Sequence, residues 1–236
     1  MPSLESRGRV LLVDMKGFGA AAKPDDGRYG PTHHAELIGN LLDREDPDHL
    51  TVMGHSLGGG VALLIALSMA EQDDRRLRRL VIVAGAAYAQ RLPRFVTLAR
   101  HPRLAGAALK LVGPERTIRH VLRSIVHDRA TVEPDQVRTY AEALRTKEGI
   151  RAMLDGARQI VPKELNRLTA DYPTLDVPTL LLWGRQDRVV PVSIAHRLCR
   201  DLPNAQLKVL EECGHIPHEE RPIASLQILE AFLSRA

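Results

Sequence analysis

The stretch GHSLG at residues 54–58 contains the first candidate for chemistry in this sequence, the hydroxyl of Ser56. It fits the pattern G-x-S-x-G, which is typical of a tight turn that presents a nucleophilic serine between a strand and a helix. Gly54 and Gly58 fit such a turn, because side chains at both positions are expected to clash. The Leu57 N–H, at the start of the helix, is expected to face a developing oxyanion. A glycine-rich turn without chemistry is the alternative interpretation.

A serine hydroxyl is a weak nucleophile unless a base takes its proton and a carboxylate orients that base. Asp187 and His215 follow Ser56 in the chain, in the stretches WGRQDRVVP and EECGHIPHEERP. Each comes directly after an apolar run of strand length, so the three residues are expected at one edge of a parallel sheet. The pattern therefore predicts acyl transfer by Ser56, with His215 as general base and Asp187 as its orienting acid.

Neighbouring residues offer alternatives for these roles. His218 is the second choice for the base, because Gly214 gives His215 the closer approach. His55 is expected to point away from the site if Ser56 lies at the top of the turn. Cys213 could supply a thiol nucleophile, although a lone cysteine near an apolar run more often packs as a small hydrophobic residue.

Metal and cofactor sites are not predicted. The spacing His215-x-x-His218-Glu219 differs from the helical H-E-x-x-H pattern of zinc enzymes. Residues 17–22 fit a dinucleotide-binding pattern loosely, but the KPDDG stretch that follows cannot form the helix that would hold a pyrophosphate. We therefore expect chemistry that depends on the side chains of the chain alone.

Strands and helices alternate at both ends of the sequence, which predicts a mostly parallel α/β sheet of about five strands with helices on both faces. Short apolar runs predict the strands, and an apolar repeat of helical period predicts each helix. The predicted strands are Val10–Val13, Leu50–Met53, Leu80–Val83, Thr179–Trp183 and Gln206–Leu210, and the predicted helices begin at Thr32, Val61, Ser193 and Pro222.

The middle of the chain, from Tyr88 to about Asp171, contains helical patterns broken by prolines and no convincing strand. We interpret it as a helical cap at 88–172, inserted between two core segments at 1–87 and 173–236. Its Leu, Val, Ile and Ala content favours an apolar substrate of modest size.

Composition limits the partners and the compartment. Lys and Arg number 33 against 29 Asp and Glu, and aromatic residues make up only 3%, too few for base stacking. The basic run Arg75–Arg79 is more typical of a solvated helix end than of a nucleic-acid site. Two cysteines and no signal-peptide pattern suit a reducing, cytoplasmic location. The longest apolar helix, Val61–Ala70, is too short to span a bilayer.

Four stretches together resemble the α/β-hydrolase superfamily, in its capped, single-domain branch: VDMKGFG at 13–19, GHSLGG at 54–59, LLWGRQDRVVP at 181–191 and CGHIPHEERP at 213–222. The resemblance implies that Ser56 is the nucleophile, Asp187 the orienting acid and His215 the general base. It implies hydrolysis of a carboxylic ester or related acyl bond. Carbon–carbon bond hydrolysis of dienone acids, lactone hydrolysis and perhydrolysis are alternatives on the same scaffold. The serine argues against the epoxide hydrolases and haloalkane dehalogenases, which use aspartate there.

This sequence differs from the superfamily at its N-terminal end. In that superfamily, three strands and a His-Gly loop come before the VDMKGFG-like strand, whereas here only a short segment does. The loop normally gives the second N–H of the oxyanion hole. The favoured expectation is a fragment whose annotated start lies downstream of the true one. The alternatives are a homodimer or partner that covers an open sheet edge, and a weakly active relative that serves as a binding module.

Overall fold

Four parallel strands form the sheet, and they lie side by side in the order in which they occur in the chain. The computed structural model describes residues 2–234. Within that range the strands are β1 (Leu50–His55), β2 (Leu77–Val83), β3 (Thr179–Gly184) and β4 (Ala205–Leu210). All three pairings are parallel, so the carboxyl ends of the strands meet at one edge of the sheet.

Helices connect the strands, and several of them begin at a proline. Proline suits the first position of a helix, because an N–H group there would have no acceptor within the helix. Three of the prolines in the middle of the sequence, Pro102, Pro114 and Pro134, therefore mark helix starts. The helices are α1 (Pro2–Glu5), α2 (Pro31–Glu45), α3 (Leu57–Glu71), α4 (Arg94–Ala99), α5 (Pro102–Val112), α6 (Pro114–Ile125), α7 (Pro134–Ala141), α8 (Lys147–Gln159), α9 (Leu165–Ala170), α10 (Val192–Asp201), α11 (Pro217–Glu220) and α12 (Pro222–Leu233).

The central strands β2 and β3 are covered on both faces over residues 80–83 and 180–183, which explains why these stretches are continuously apolar. On one face Leu80, Ile82, Leu181 and Trp183 pack against residues of α3 and α10. On the other face the alternate residues of the two strands pack against Leu229 and Phe232 of α12.

Four of the five predicted strands are confirmed, and the four predicted helices are present with starts that differ by at most a few residues. The helical content between β2 and β3 also agrees with the sequence, because the described residues 88–171 contain no strand. The division into a cap at 88–172 and core segments at 1–87 and 173–236 stays a prediction. None of the helices within residues 2–234 is both long and apolar enough to cross a membrane.

The predicted strand Val10–Val13 is wrong, so the sheet has four strands instead of about five. The side chains of this segment are exposed, and Leu12 is 76% accessible. A strand needs a hydrogen-bonded neighbour, and no strand within the described residues pairs with the outer edge of β1. Leu50 and Ser56 both donate their N–H groups toward β2 and its flanking loop. The alternating residues Thr51 and Met53 therefore direct theirs to the open edge.

Candidate active site

Ser56 lies between the last residue of β1 and the first residue of α3, in a backbone conformation with φ 53° and ψ −116°. L-residues other than glycine seldom adopt this region, so the turn is strained. Gly54 makes the turn possible, because a Cβ there would collide with the carbonyl group of Gly58. The expected clash at Gly58 itself is wrong, since a Cβ there would meet open space.

The Ser56 hydroxyl, the His215 imidazole and the Asp187 carboxylate form one hydrogen-bonded chain. Ser56 Oγ lies 2.8 Å from His215 Nε2, and His215 Nδ1 lies 2.9 Å from Asp187 Oδ2. The carboxylate therefore fixes the tautomer in which Nδ1 carries the proton and Nε2 accepts from the serine. This geometry permits proton transfer from the hydroxyl to the imidazole.

Asp187 is held by backbone groups of its own loop. Its side chain is fully buried, and its Oδ1 accepts the N–H groups of Val189 and Val190 at 2.8 and 2.9 Å. With His215 Nδ1 on the other oxygen, the buried carboxylate has three donors. These three hydrogen bonds compensate for the cost of burying the carboxylate.

The backbone of His215 is fixed on both sides of the residue. Its N–H donates to the carbonyl oxygen of Ile125 at the end of α6, at 2.9 Å. Its carbonyl oxygen accepts a hydrogen bond from Nε2 of His55, at 2.8 Å. The imidazole that contacts Ser56 is therefore positioned by one residue on β1 and one residue on α6.

Glu220 ties the same loop to the segment that follows α6. Its carboxylate accepts the N–H of Gly214 at 2.9 Å and the N–H of His127 at 2.7 Å. The Ile216 N–H is a weaker third donor at 3.3 Å. Residues on both sides of His215 are thus bound to one side chain, which also holds the end of α6.

The rings of His55, His215 and His218 contact one another beside the site in tilted and edge-on arrangements. The His55 ring lies 4.9 Å from that of His215 and 4.8 Å from that of His218, measured between centroids. Burial, followed by the proximity of the other two rings, lowers the pKa of His55 from 6.5 to about 3. His55 is therefore neutral at physiological pH, and its Nε2 carries the proton that it donates to His215.

The alternative residues weighed in the sequence lie outside the hydrogen-bonded chain. His218 contacts Glu219 at 3.7 Å, while His215 occupies the position beside the serine hydroxyl. Cys213 is buried, and burial raises the pKa of its thiol to about 12, which leaves it protonated. His55 bonds to the carbonyl oxygen of His215 and not to the serine hydroxyl, a contact that the sequence pattern does not indicate.

The Leu57 N–H lies in the first turn of α3, beside the serine. It donates to no acceptor among the backbone bonds of the described residues, so it is free to meet an oxyanion. A second donor is not identified within residues 2–234. Within the same range, no three His, Cys, Asp or Glu side chains lie close enough together to hold a metal ion.

Comparison with known proteins places this fold and sequence in one family. The model of the alpha/beta hydrolase family matches residues 1–226. The 2-hydroxymuconate semialdehyde hydrolase of Pseudomonas putida is 30% identical over 97% of this chain and 78% of its own length. The uncharacterized hydrolase YugF of Bacillus subtilis is 26% identical over 94% of this chain and 79% of its own length.

Solved structures agree on the fold. The 2-hydroxy-6-oxo-6-phenylhexa-2,4-dienoate hydrolase from Rhodococcus sp. strain RHA1 superposes with a TM-score of 0.81. The match covers 100% of this chain and 83% of that one at 24% identity, which is evidence for the fold alone. Because the family model spans nearly all of the sequence, this chain belongs to the alpha/beta hydrolase family.

Proposed function

We propose that this protein is a serine hydrolase that cleaves a carboxylic ester or a related acyl bond through an acyl-enzyme. The observation that carries the proposal is the continuous hydrogen-bonded chain from Ser56 Oγ through the His215 ring to Asp187. The three residues come from loops at the carboxyl ends of three different strands, where parallel sheets place their sites.

In the proposed reaction, Ser56 Oγ attacks the substrate carbonyl carbon while its proton passes to His215 Nε2. The tetrahedral intermediate collapses when the imidazolium returns that proton to the leaving alkoxide, which departs as an alcohol. Water then attacks the acyl-enzyme, with its proton taken by the same nitrogen. Collapse of the second intermediate releases a carboxylic acid and restores the serine hydroxyl.

Asp187 stabilises the imidazolium that forms in each half-reaction. Its charge is close to Nδ1 in a buried setting, where the attraction is stronger than in water. The Leu57 N–H donates to the developing oxyanion. Because one missing oxyanion donor typically costs about 10²–10³ in turnover, we expect a modest rate if this N–H acts alone.

The proposed substrate is apolar and of modest size. Helices α6 and α7 approach the site, and Leu122, Val126 and Val137 pack with Ile216, the residue after the proposed base. We therefore expect the acyl or alcohol group of the substrate to lie near a largely apolar surface. Cofactors and metals have no part in the proposed chemistry.

Carbon–carbon bond hydrolysis of a dienone acid is a second candidate. It is favoured by the similarity to the 2-hydroxymuconate semialdehyde hydrolase, a protein named for hydrolysis of such a compound. Both chemistries begin at a carbonyl carbon and require a base at the position of His215. They differ in the atom that leaves, which is oxygen in an ester and carbon in a dienone acid.

A fluorophosphonate probe tests whether Ser56 is a nucleophile at all. We expect the wild-type protein to be labelled and Ser56→Ala to remain unlabelled. Folded wild-type protein that fails to react, beside a control hydrolase that reacts, would contradict the proposal and favour a binding or interaction role.

Turnover of p-nitrophenyl esters and of a 2-hydroxy-6-oxo-dienoate, compared as kcat/KM, separates the two chemistries. His215→Ala is expected to abolish measurable turnover, and Asp187→Asn to lower kcat by about 10⁴ through the wrong tautomer. His218→Ala is the matched control and is expected to retain activity. Loss of activity in the control, with activity kept in His215→Ala, would assign the base to His218.

A further inference from the structure

The positive charge of this protein is concentrated in helices α4, α5 and α6. Residues 94–125 carry seven basic side chains and one acidic side chain, which gives this segment a net charge of +6. The whole chain has a net charge of +4, so the remainder carries −2. The basic residues of the segment are Arg94, Arg100, Arg103, Lys110, Arg116, Arg119 and Arg123.

These basic side chains lack acidic partners. None of the seven forms an ion pair with any residue of the described range, 2–234. The single acid of the segment, Glu115, is paired instead with Arg145 at 2.7 Å. Their charges are thus available to a ligand from outside the chain.

On α6 the arginines share one face. Arg116, Arg119 and Arg123 recur at the spacing that places residues on one side of a helix. Ile118 and Ile125, which pack into the interior, lie largely on the other side. With His120, Ser124 and Arg129 they line a groove of about 330 Å³. Like charges at this spacing oppose each other in an isolated helix, so a bound anion would relieve their repulsion.

Helix α5 presents an apolar face to solvent. Leu104 and Leu111 lie seven residues apart on one side of the helix and are 61% and 89% accessible. Val112 and, on α4, Leu98 are also exposed. Helices α5 and α6 pack against each other, so the leucines and the arginine groove lie on adjacent helices. Exposed apolar residues in such a group mark an interaction site.

We propose that α5 and α6 form a docking surface for an anionic lipid bilayer, which goes beyond the proposed hydrolase activity and does not depend on it. The leucines of α5 enter the boundary between headgroups and acyl chains, and the arginines of α6 bind lipid phosphates. A nucleic acid would match the charge but would leave Leu104 and Leu111 in water. The apolar face therefore favours the bilayer.

Vesicle sedimentation with the full chain tests the proposal. We expect binding to vesicles of phosphatidylcholine with phosphatidylglycerol, little binding to phosphatidylcholine alone, and loss of binding at about 1 M salt, where charges are screened. The triple variant R116Q/R119Q/R123Q is expected to bind roughly 100-fold more weakly, since each basic residue contributes on the order of fivefold. L104S/L111S is expected to bind at least about tenfold more weakly.

The matched control is R44Q/R167Q/R200Q, which removes the same charge from exposed arginines elsewhere. It should bind as the wild type does, and so should Ser56→Ala. Thermal unfolding of every variant should match that of the wild type. Equal binding to neutral vesicles, or an equal loss in the control, would overturn the proposal. Unchanged binding of L104S/L111S, with displacement of the vesicles by duplex nucleic acid, would assign the surface to nucleic acid instead.

Discussion

Nε2 of His55 lies 2.8 Å from the carbonyl oxygen of His215, so the residue before the serine holds the backbone of the histidine that contacts the serine. His55 is the last residue of β1, and His215 follows β4, so the contact joins the end of one outer strand to the loop after the other. The positions of the proposed nucleophile and base are therefore coupled by a bond that involves neither reacting atom.

Replacing His55 is expected to lower turnover without removing a reacting group. In His55→Leu the carbonyl of His215 loses its donor, and we expect kcat to fall about tenfold, the effect of one hydrogen bond, with a smaller change in KM. His55→Gln keeps an N–H near the position of Nε2 and should recover most of the loss. Steady-state kinetics with the ester that the wild type hydrolyses fastest measures kcat and KM for both variants.

His218→Gln is the control for His55, because His218 contacts the same ring but does not bond to the His215 carbonyl. It should leave kcat unchanged. A His55→Leu protein with the kcat of the wild type would show that Ile125 and Glu220 position His215 sufficiently.

The neutral state of His55 predicts acid sensitivity. The unfolded chain takes up this proton near pH 6.5, but the folded protein takes it up only near pH 3. The unfolded state therefore binds more protons between these values, and the free energy of unfolding falls as pH decreases, by up to about 1.4 kcal/mol per pH unit. Above pH 6.5 the contribution is fully present.

Denaturant unfolding at a series of pH values, for the wild type and His55→Gln, measures this effect. The stability of the wild type should fall more steeply than that of the variant between about pH 6.5 and 4. His196→Gln, at an exposed position of α10, is the control. A constant difference between the wild type and His55→Gln would contradict the assignment.

The strained turn at Ser56 predicts that glycine is more stabilising than alanine at this position, the reverse of the usual order. Alanine usually stabilises a chain relative to glycine by about 0.4–1 kcal/mol, because it restricts the unfolded state. At φ 53° and ψ −116° the alanine is strained and glycine is not. We therefore expect Ser56→Gly to be more stable than Ser56→Ala by about 1 kcal/mol.

Urea unfolding of the two variants tests this order. Both variants lack the Ser56 hydroxyl, so the loss of its hydrogen bond does not contribute to the difference between their free energies of unfolding. The control pair is Ser68→Gly and Ser68→Ala, at an exposed position inside α3, where the alanine variant should be the more stable. The same order at both positions would mean that the turn relaxes when the serine is replaced.

The open edge of β1 is the basis for a fourth prediction. A homodimer that covers this edge stays a prediction from the sequence. Met53 is 49% exposed there, and a charged side chain on an edge strand opposes pairing. If a homodimer covers this edge, we expect wild-type protein to be dimeric by light scattering and Met53→Lys to be monomeric.

Leu37→Lys, at an exposed position of α2, is the control for Met53→Lys and should remain dimeric. Wild-type protein that is monomeric across the accessible concentrations would dismiss the dimer.

The sequence reveals the inner sheet and the three aligned side chains because their signals are local. β2 and β3 are buried on both faces, so their apolar runs have one interpretation. Ser56, Asp187 and His215 each follow such a run, and parallel pairing brings those positions to one edge. The segment Val10–Val13 has the same apolar signal, but a strand also needs a neighbour, and a local pattern does not report one.

The supporting contacts of His215 escaped prediction for a related reason. His55 and Glu220 bind backbone atoms, and a backbone atom has the same identity in every sequence. The available signals were the position of His55 directly before Ser56 and that of Glu220 five residues after His215. Neither signal states which loop the side chain will meet.

The carboxylate of Glu220 joins the His215 loop to the residue His127 just beyond α6, and the Ile125 carbonyl adds a second bond between them. A ligand that displaces α6 therefore displaces groups that set the position of the His215 ring. If that displacement changes the affinity of an inhibitor held at Ser56, reciprocity requires the inhibitor to change affinity at α6 by the same factor. The outer face of α6 and the hydroxyl of Ser56 are thus linked through the hydrogen bonds that hold the His215 loop.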